Sequence, residues 1–156
     1  MMAAPPAPHL SAKVSMDASN DYKKIAGSSE RTKHQVRQLS VTLDNRDKEV
    51  IKNVHVKWTL FGHKMADNKL VTLKQGSVKT AVDALKTSTV KCEKVVISGT
   101  PKYTVTTKKA VRGTVQVDTK HHPASGEDYY GYAVRVYAGS ILIDEFYSHP
   151  SLKQEK

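Results

Sequence analysis

The chain has 156 residues, a formal net charge of +10, 38% hydrophobic residues and 26% charged residues. This length suits one domain with its own buried core, and the composition is that of a globular protein rather than a disordered one. No apolar run approaches the roughly 20 residues of a membrane-spanning helix, and the lone Cys92 excludes an intramolecular disulfide.

Residues 1–10 are predicted to form a flexible tether. The segment MMAAPPAPH lacks the basic and apolar regions of a signal peptide. A doubled Met followed by small residues and prolines is nevertheless typical of a start residue placed on a processed N-terminus. We therefore expect an exported protein of the cell envelope or surface whose signal peptide has been removed.

A period of two dominates the chain from residue 34 onward. In HQVRQLSVTLD this alternation places Val41 and Leu43 on one face, and in VIKNVHVKWTLF it does the same for Val56 and Trp58. Such alternation is typical of half-buried antiparallel strands. Further strands are predicted at 12–18, 22–25, 69–74, 89–98, 102–108, 113–119, 129–137 and 140–147.

The number and spacing of these strands predict an all-β, antiparallel sandwich of seven to nine strands. The domain is expected to cover residues 11–148, and residues 149–156 are expected to form a C-terminal tail. One segment departs from the period of two. Val78, Ala81, Val82 and Leu85 fall at helical spacing, which predicts a short amphipathic helix near residues 78–86.

Two aromatic residues suggest the type of sandwich. Trp58 lies on the predicted strand after the one with Val41, and Tyr132-Ala133-Val134 is placed like the tyrosine corner of an immunoglobulin domain, with valine in the cysteine's position. The chain thus resembles an immunoglobulin-like or fibronectin-like domain. This resemblance implies a core that contains Val41, Leu43, Val56, Trp58, Tyr132 and Val134.

A narrower resemblance rests on the C-terminal hairpin GYAVRVYAGSILIDEFYS followed by HPSL. It is similar to small exported immunoglobulin-like proteins of Akkermansia and related bacteria, which are associated with pilus-like gene clusters. The resemblance implies a structural role in the cell envelope. The chain departs from pilus subunits in having no hydrophobic N-terminal helix, so the role of a subunit does not follow.

The best candidate metal ligands are His121 and His122, which Glu127 and Asp128 follow. Adjacent residues of an extended chain point to opposite faces, so one ion would need a tight loop to reach both histidines. No second pair of histidine or cysteine residues has ligand spacing. The sequence therefore predicts a polar loop here, with no metal and no cofactor.

No set of residues indicates catalysis. Strand geometry separates the neighbouring carboxylates of Asp144 and Glu145, and the chain contains neither a Gly-x-Ser-x-Gly motif nor a phosphate-binding glycine loop. Cys92 is expected to be a small buried side chain on a strand rather than a nucleophile. We predict that the protein is not an enzyme.

The tyrosine-rich C-terminal region matches a nucleic-acid-binding strand poorly. Tyr130-Gly131-Tyr132 fits the middle of an RNA-recognition strand, but Asp128 and Tyr129 replace the expected Lys-Gly, and Arg135 replaces the last aromatic residue. A stacking surface of the OB type remains open. Nucleic acid is therefore not favoured as the partner.

Two functional hypotheses follow. The first is an envelope module that acts through protein–protein contacts, for which Tyr137, Ile143 and Tyr147 form the candidate partner surface. The second is a basic adhesin-like domain that binds an acidic polymer such as a glycan, mucin or nucleic acid. The candidate contacts of that polymer are Lys91, Lys94, Lys108, Lys109 and Arg112.

Overall fold

A computed structural model describes residues 8–24 and 30–154. In those residues the regular elements are ten β-strands and one short 3₁₀ helix. The strands are β1 (Leu10–Lys24), β2 (Arg31–Asn45), β3 (Ile51–Lys64), β4 (Leu70–Val82), β5 (Thr87–Lys91), β6 (Val95–Thr100), β7 (Tyr103–Val111), β8 (Thr114–His122), β9 (Ser125–Ala138) and β10 (Ile141–Tyr147). The 3₁₀ helix spans Pro150–Gln154.

Eight of the strands form two antiparallel layers. In the first layer β2 pairs with β1 on one side and with β5 and β6, placed end to end, on the other. The second layer has the order β4-β3-β9-β10. Strand pairing connects the two layers in the described residues where Gly99 and Thr100 of β6 pair with Gly126 and Ser125 of β9. The predicted all-β antiparallel sandwich is confirmed.

The core lies between the two layers and follows the predicted alternation. Val41, Leu43, Val56 and Val134 are fully buried, and Trp58 is 4% exposed. All five belong to one cluster that combines side chains of both layers. A single core shared by two sheets is the property that defines a sandwich.

Tyr132 packs against this core but is only half-buried. Its backbone N–H donates to Ser148 Oγ at 2.8 Å, and its backbone carbonyl accepts from the Ser148 N–H at 3.1 Å. Within the described residues its hydroxyl makes no hydrogen bond. The resemblance to a tyrosine corner is therefore one of position, without the hydroxyl–backbone bond that characterises that motif.

The remaining two strands form a hairpin that we call the arm (residues 103–122). Within the described chain β7 and β8 pair only with each other, over nine residue pairs. Arg112 and Gly113 both have positive φ, which matches the twist of a two-residue hairpin turn. At about 3.3 Å per residue the arm is ~30 Å long. Both strands of the arm were predicted, and the total is ten rather than seven to nine because the predicted strand 89–98 is divided into β5 and β6.

The predicted helix near residues 78–86 is wrong. β4 continues to Val82, with Val78 paired to Val56 and Val82 paired to Ile51. Leu85, the last residue of the predicted apolar stripe, is 65% exposed and has a φ of 56°, which is left-handed rather than helical. The segment follows the period of two of a strand rather than the helical period. The reason is that pairing with β3 provides β4 with ladder hydrogen bonds and also buries Val82 in the core.

Both predicted domain boundaries also need correction. At the start, Leu10 is 7% exposed in the core, and the His9 N–H donates to the Asp47 carboxylate at 3.1 Å, so these residues belong to the domain rather than to a tether. Residues 1–7 and Ile25 lie outside the described residues. At the end, Leu152 is fully buried, so residues 149–154 of the predicted tail contact the domain through the 3₁₀ helix.

Candidate interaction surface

The outer face of the second layer is a sheet surface whose side chains point away from the core. Strand register arranges it in rows that run from β4 through β3 and β9 to β10. The rows are Lys79–His55–Tyr137–Leu142, Ser77–Lys57–Arg135–Glu145 and Gln75–Thr59–Ala133–Tyr147. Glu145 is the one carboxylate in these rows. We call the cationic part of this surface, Lys57, Lys79, Arg135 and Lys153, the basic face.

Arg135 is held in place by groups around it. Its Nε donates to Tyr147 Oη at 2.9 Å, and its Nη2 lies 3.4 Å from the backbone oxygen of Lys153. The guanidinium also lies over the Tyr147 ring, 5.6 Å from its centroid. Because an arginine side chain loses much entropy when it is ordered, an arginine fixed in this way would lose less entropy in any contact with a ligand.

The nearby carboxylate is already engaged. Glu145 accepts a hydrogen bond from Tyr147 Oη at 3.1 Å and forms an ion pair with Lys153 Nζ at 2.9 Å. The hydrogen bond from Lys153 is the main cause that lowers the pKa of Glu145, and the same contact raises the pKa of Lys153. Glu145 therefore partly balances Arg135 and Lys153 and leaves the rest of the face positive.

Lys57 adds a second cation directly beside Arg135. The two residues are opposite each other in the β3–β9 register. Lys57 Nζ lies 5.3 Å from the centroid of the Tyr137 ring, and among the described residues it has no ion-pair partner. Like charges directly opposite on an antiparallel pair destabilise a sheet. The fold thus places two like charges opposite each other on an exposed surface, with Lys57 turned toward Tyr137 and Arg135 turned toward Tyr147.

An open cleft of about 730 Å³ lies in this region. Lys57, Arg135 and Lys153 line it together with three polar side chains, Thr59, Gln75 and Ser77. Within the described part of the chain those three side chains form no hydrogen bond. The cleft therefore combines three cations with free hydroxyl and amide groups.

A small apolar cluster lies beside the cleft on the same outer face. Phe61 and Ala133 of the sheet contact Leu152 of the 3₁₀ helix, and Tyr147 packs against them. The backbone of Gly131 passes so close beneath the helix that a Cβ there would meet Ser148 and Leu152. This docking positions Lys153 at the edge of the cleft.

The structure separates the three residues of the predicted partner surface. Tyr137 and Tyr147 both lie on the outer face, on either side of Arg135 in the register. Ile143 instead packs against the main core, because a bulge between Leu142 and Asp144 shifts the alternation of β10. Ile143 therefore does not share the outer face with Tyr137 and Tyr147.

The five predicted polymer contacts fall into two groups. Lys108, Lys109 and Arg112 lie near the tip of the arm and are exposed. Lys91 and Lys94 precede β6, whereas the arm follows it. The six residues of β6 span ~20 Å, so the two groups do not form one contiguous patch.

The surroundings of the His121-His122 pair do not support a metal site, and those of Cys92 do not support a nucleophile. The His122 ring stacks on Tyr103, with ring centroids 4.5 Å apart, at the base of the arm. Among residues 8–24 and 30–154, no three histidine, cysteine or acidic side chains group as metal ligands would. Cys92 is 3% exposed, and burial raises the pKa of its thiol to about 11, so it is protonated at neutral pH.

Sequence reasoning missed Lys57, Lys79 and Lys153 as members of a common surface. Alternation does indicate that Lys57 points away from the core, because it stands between the core residues Val56 and Trp58. Its pairing with Arg135 depends on the β3–β9 register, which the pattern of either strand alone leaves open. Lys153 was missed because its segment was interpreted as a tail.

Comparisons with known proteins show distant structural similarity alone. No family model matches the chain, and no curated protein matches it. Among solved structures, the chain is similar to the X-ray structure of Northeast Structural Genomics Consortium target SoR45. The two share 12% sequence identity with a TM-score of 0.32, over 92% of each chain. In the described residues, no helix has the length and apolar character needed to cross a membrane.

Proposed function

We propose that this protein is a non-enzymatic, immunoglobulin-like module of the cell envelope that acts through protein–protein contacts. The observation that carries the proposal is the outer face of the second layer. There, Tyr137 and Tyr147 flank an arginine that is already fixed in position beside an open cleft. Tyrosine and arginine are enriched where protein interfaces concentrate their binding energy.

The strand order supports the immunoglobulin-like part of the proposal. Immunoglobulin sandwiches place strands A, B and E in one sheet and C, F and G in the other. With β1, β2 and β5–β6 as A, B and E, and β3, β9 and β10 as C, F and G, the order is the same. β4 then extends the second sheet beside β3, and the arm is an insertion between the E and F strands.

The location and the contact face are tested in the organism that encodes the chain. A photo-crosslinking residue is placed at Tyr137, and a control is placed at Val96, which is 62% exposed on the other layer. The proposal expects the native protein in the envelope fraction and a protein adduct from position 137 alone. A purely cytosolic protein would contradict the envelope location. Equal adducts from both positions, or none, would contradict the face.

A second candidate function rests on the arm. Lys102, Lys108, Lys109, Arg112 and Lys120 lie on or beside it, against a single acidic residue, Asp118. A two-stranded ribbon that carries cations on exposed faces suits the surface of an acidic polymer. This is the adhesin-like alternative, now limited to the arm because Lys91 and Lys94 lie elsewhere.

Heparin retention tests this alternative. A Lys108→Gln/Lys109→Gln/Arg112→Gln variant is compared with Lys91→Gln/Lys94→Gln. If the arm binds acidic polymers, the first variant elutes at clearly lower salt than the wild type, while the second elutes close to the wild type. Equal shifts for the two variants would indicate a general charge effect and would contradict a role of the arm.

A further inference from the structure

We propose that the basic face binds an extended, acidic segment of a partner protein, with Lys57 and Arg135 holding its carboxylates. This inference rests on the proposed function and specifies the chemistry of the partner. It starts from the cross-strand pair of Lys57 and Arg135, whose side chains turn toward Tyr137 and Tyr147 respectively and place two cations on adjacent strands. An extended segment that crosses the two strands can place one carboxylate at each cation, and this arrangement motivates the acidic chemistry of the partner.

The two cations differ in what they bring to such a contact. The Arg135 guanidinium is planar and is oriented by Tyr147 Oη and by the backbone oxygen of Lys153, so its remaining N–H groups have a defined direction. A fixed guanidinium suits the two oxygens of a carboxylate. Lys57 lies over Tyr137 and supplies a mobile point charge.

The walls of the cleft favour a peptide over a sulfated polymer. The side chains of Thr59, Gln75 and Ser77 line it and form no hydrogen bonds within the described chain. Hydroxyl and amide side chains both donate and accept, as the N–H and C=O groups of a peptide backbone require. A sulfated polymer presents mainly acceptors and would use only half of that capacity.

The competing carboxylate of the chain itself does not fill the site. Glu145 is opposite Arg135, but its two oxygens are bound by Tyr147 and Lys153. Lys79 stands one row from Lys57 on β4 and extends the positive surface toward the sheet edge. The charges of Lys57 and Lys79, and part of the charge of Arg135, are therefore left for an external anion.

The probe is a fluorescein-labelled octaglutamate peptide, measured by fluorescence polarisation at ~50 mM salt, with octaglutamine as the uncharged control. Lys57→Gln is expected to weaken octaglutamate binding about fivefold, the upper range for one exposed charge pair. Lys57→Glu is expected to abolish measurable binding. The matched control is Lys13→Gln, which removes an exposed lysine from β1 of the other layer and should leave the affinity unchanged.

A thermal melt separates lost binding from lost folding. Both variants at position 57 lose the contact with the Tyr137 ring, but glutamate gains attraction to Arg135. Lys57→Glu should therefore melt at a higher temperature than Lys57→Gln at low salt, while binding the peptide less well.

Three results would overturn the proposal. The first is that wild type and Lys57→Glu bind octaglutamate equally well. The second is that Lys13→Gln weakens the binding as much as Lys57→Gln does. The third is that the substitutions at Lys57 weaken binding to heparin while octaglutamate does not bind at all. In each case the crosslink from position 137 decides the wider question. If that adduct with a protein persists, only the acidic chemistry fails, and if it is absent, the proposed contact face fails as well.

Discussion

The docking of the C-terminal 3₁₀ helix can be tested by shortening Leu152 to alanine. Leu152 is fully buried against Phe61 and Ala133. Burial of a leucine contributes about 2–3 kcal/mol, and Leu→Ala substitutions in cores cost about 2–5 kcal/mol. Because the helix is short and terminal and can undock alone, we expect the lower end, a loss of about 2 kcal/mol in the free energy of unfolding.

The assay is urea unfolding followed by the fluorescence of Trp58, the single tryptophan, which is buried in the main core. For a domain of this size the loss corresponds to a melting temperature lower by about 4–8 °C. The matched control is Leu142→Ala, since Leu142 is 44% exposed on the neighbouring strand and should change stability by less than about 0.5 kcal/mol. If both variants unfold at the wild-type urea concentration, Leu152 is not docked and the segment is a tail after all.

Three further predictions follow from burial and charge. Cys92, with its thiol pKa raised to about 11 by burial, should resist iodoacetamide at neutral pH until urea unfolds the protein, and rapid labelling of the native state would contradict this. Glu145 has a lowered pKa, so its contribution to stability is present above the ordinary pKa of a glutamate and is lost as the pH falls through the lowered value. The urea midpoints of wild type and Glu145→Gln should therefore differ at neutral pH and converge in acid, and a difference that does not depend on pH would refute the ion pair with Lys153. Replacing residues 108–117 by Asn-Gly should leave the urea midpoint nearly unchanged, because the side chains of the arm are largely exposed, and a large loss would show that the arm packs on the sandwich.

The sequence predicts best where one face of a strand is buried and the other is solvated. Val41, Leu43, Val56 and Trp58 alternate with polar residues, and a slip by one residue would expose all of them, so the pattern determines both strand and face. The same logic failed in β4. There, Ala81 and Leu85 imitated a helical stripe although neither is buried.

The features that form the candidate site depend on information that local patterns lack. The bulge in β10 moves Ile143 into the core, and no residue in ILIDEFY marks that shift. The burial of Leu152 depends on Phe61, a distant residue on the outer face that accepts it. Lys57 and Arg135 are neighbours because of the register between β3 and β9, two strands that are far apart in the sequence. Each case is a tertiary contact that overrides or extends the local period.

The most direct test of binding at the basic face is a titration of the ¹⁵N-labelled protein with octaglutamate, in which the backbone amide signals are monitored by NMR. If the basic face binds acidic segments, the shifts concentrate at Lys57, Ser77 and Arg135 on the outer face of the second layer, while the arm and the first layer stay unchanged. Shifts that concentrate on the arm around Lys108 and Arg112, or that spread evenly over the exposed lysines, would contradict binding at the basic face.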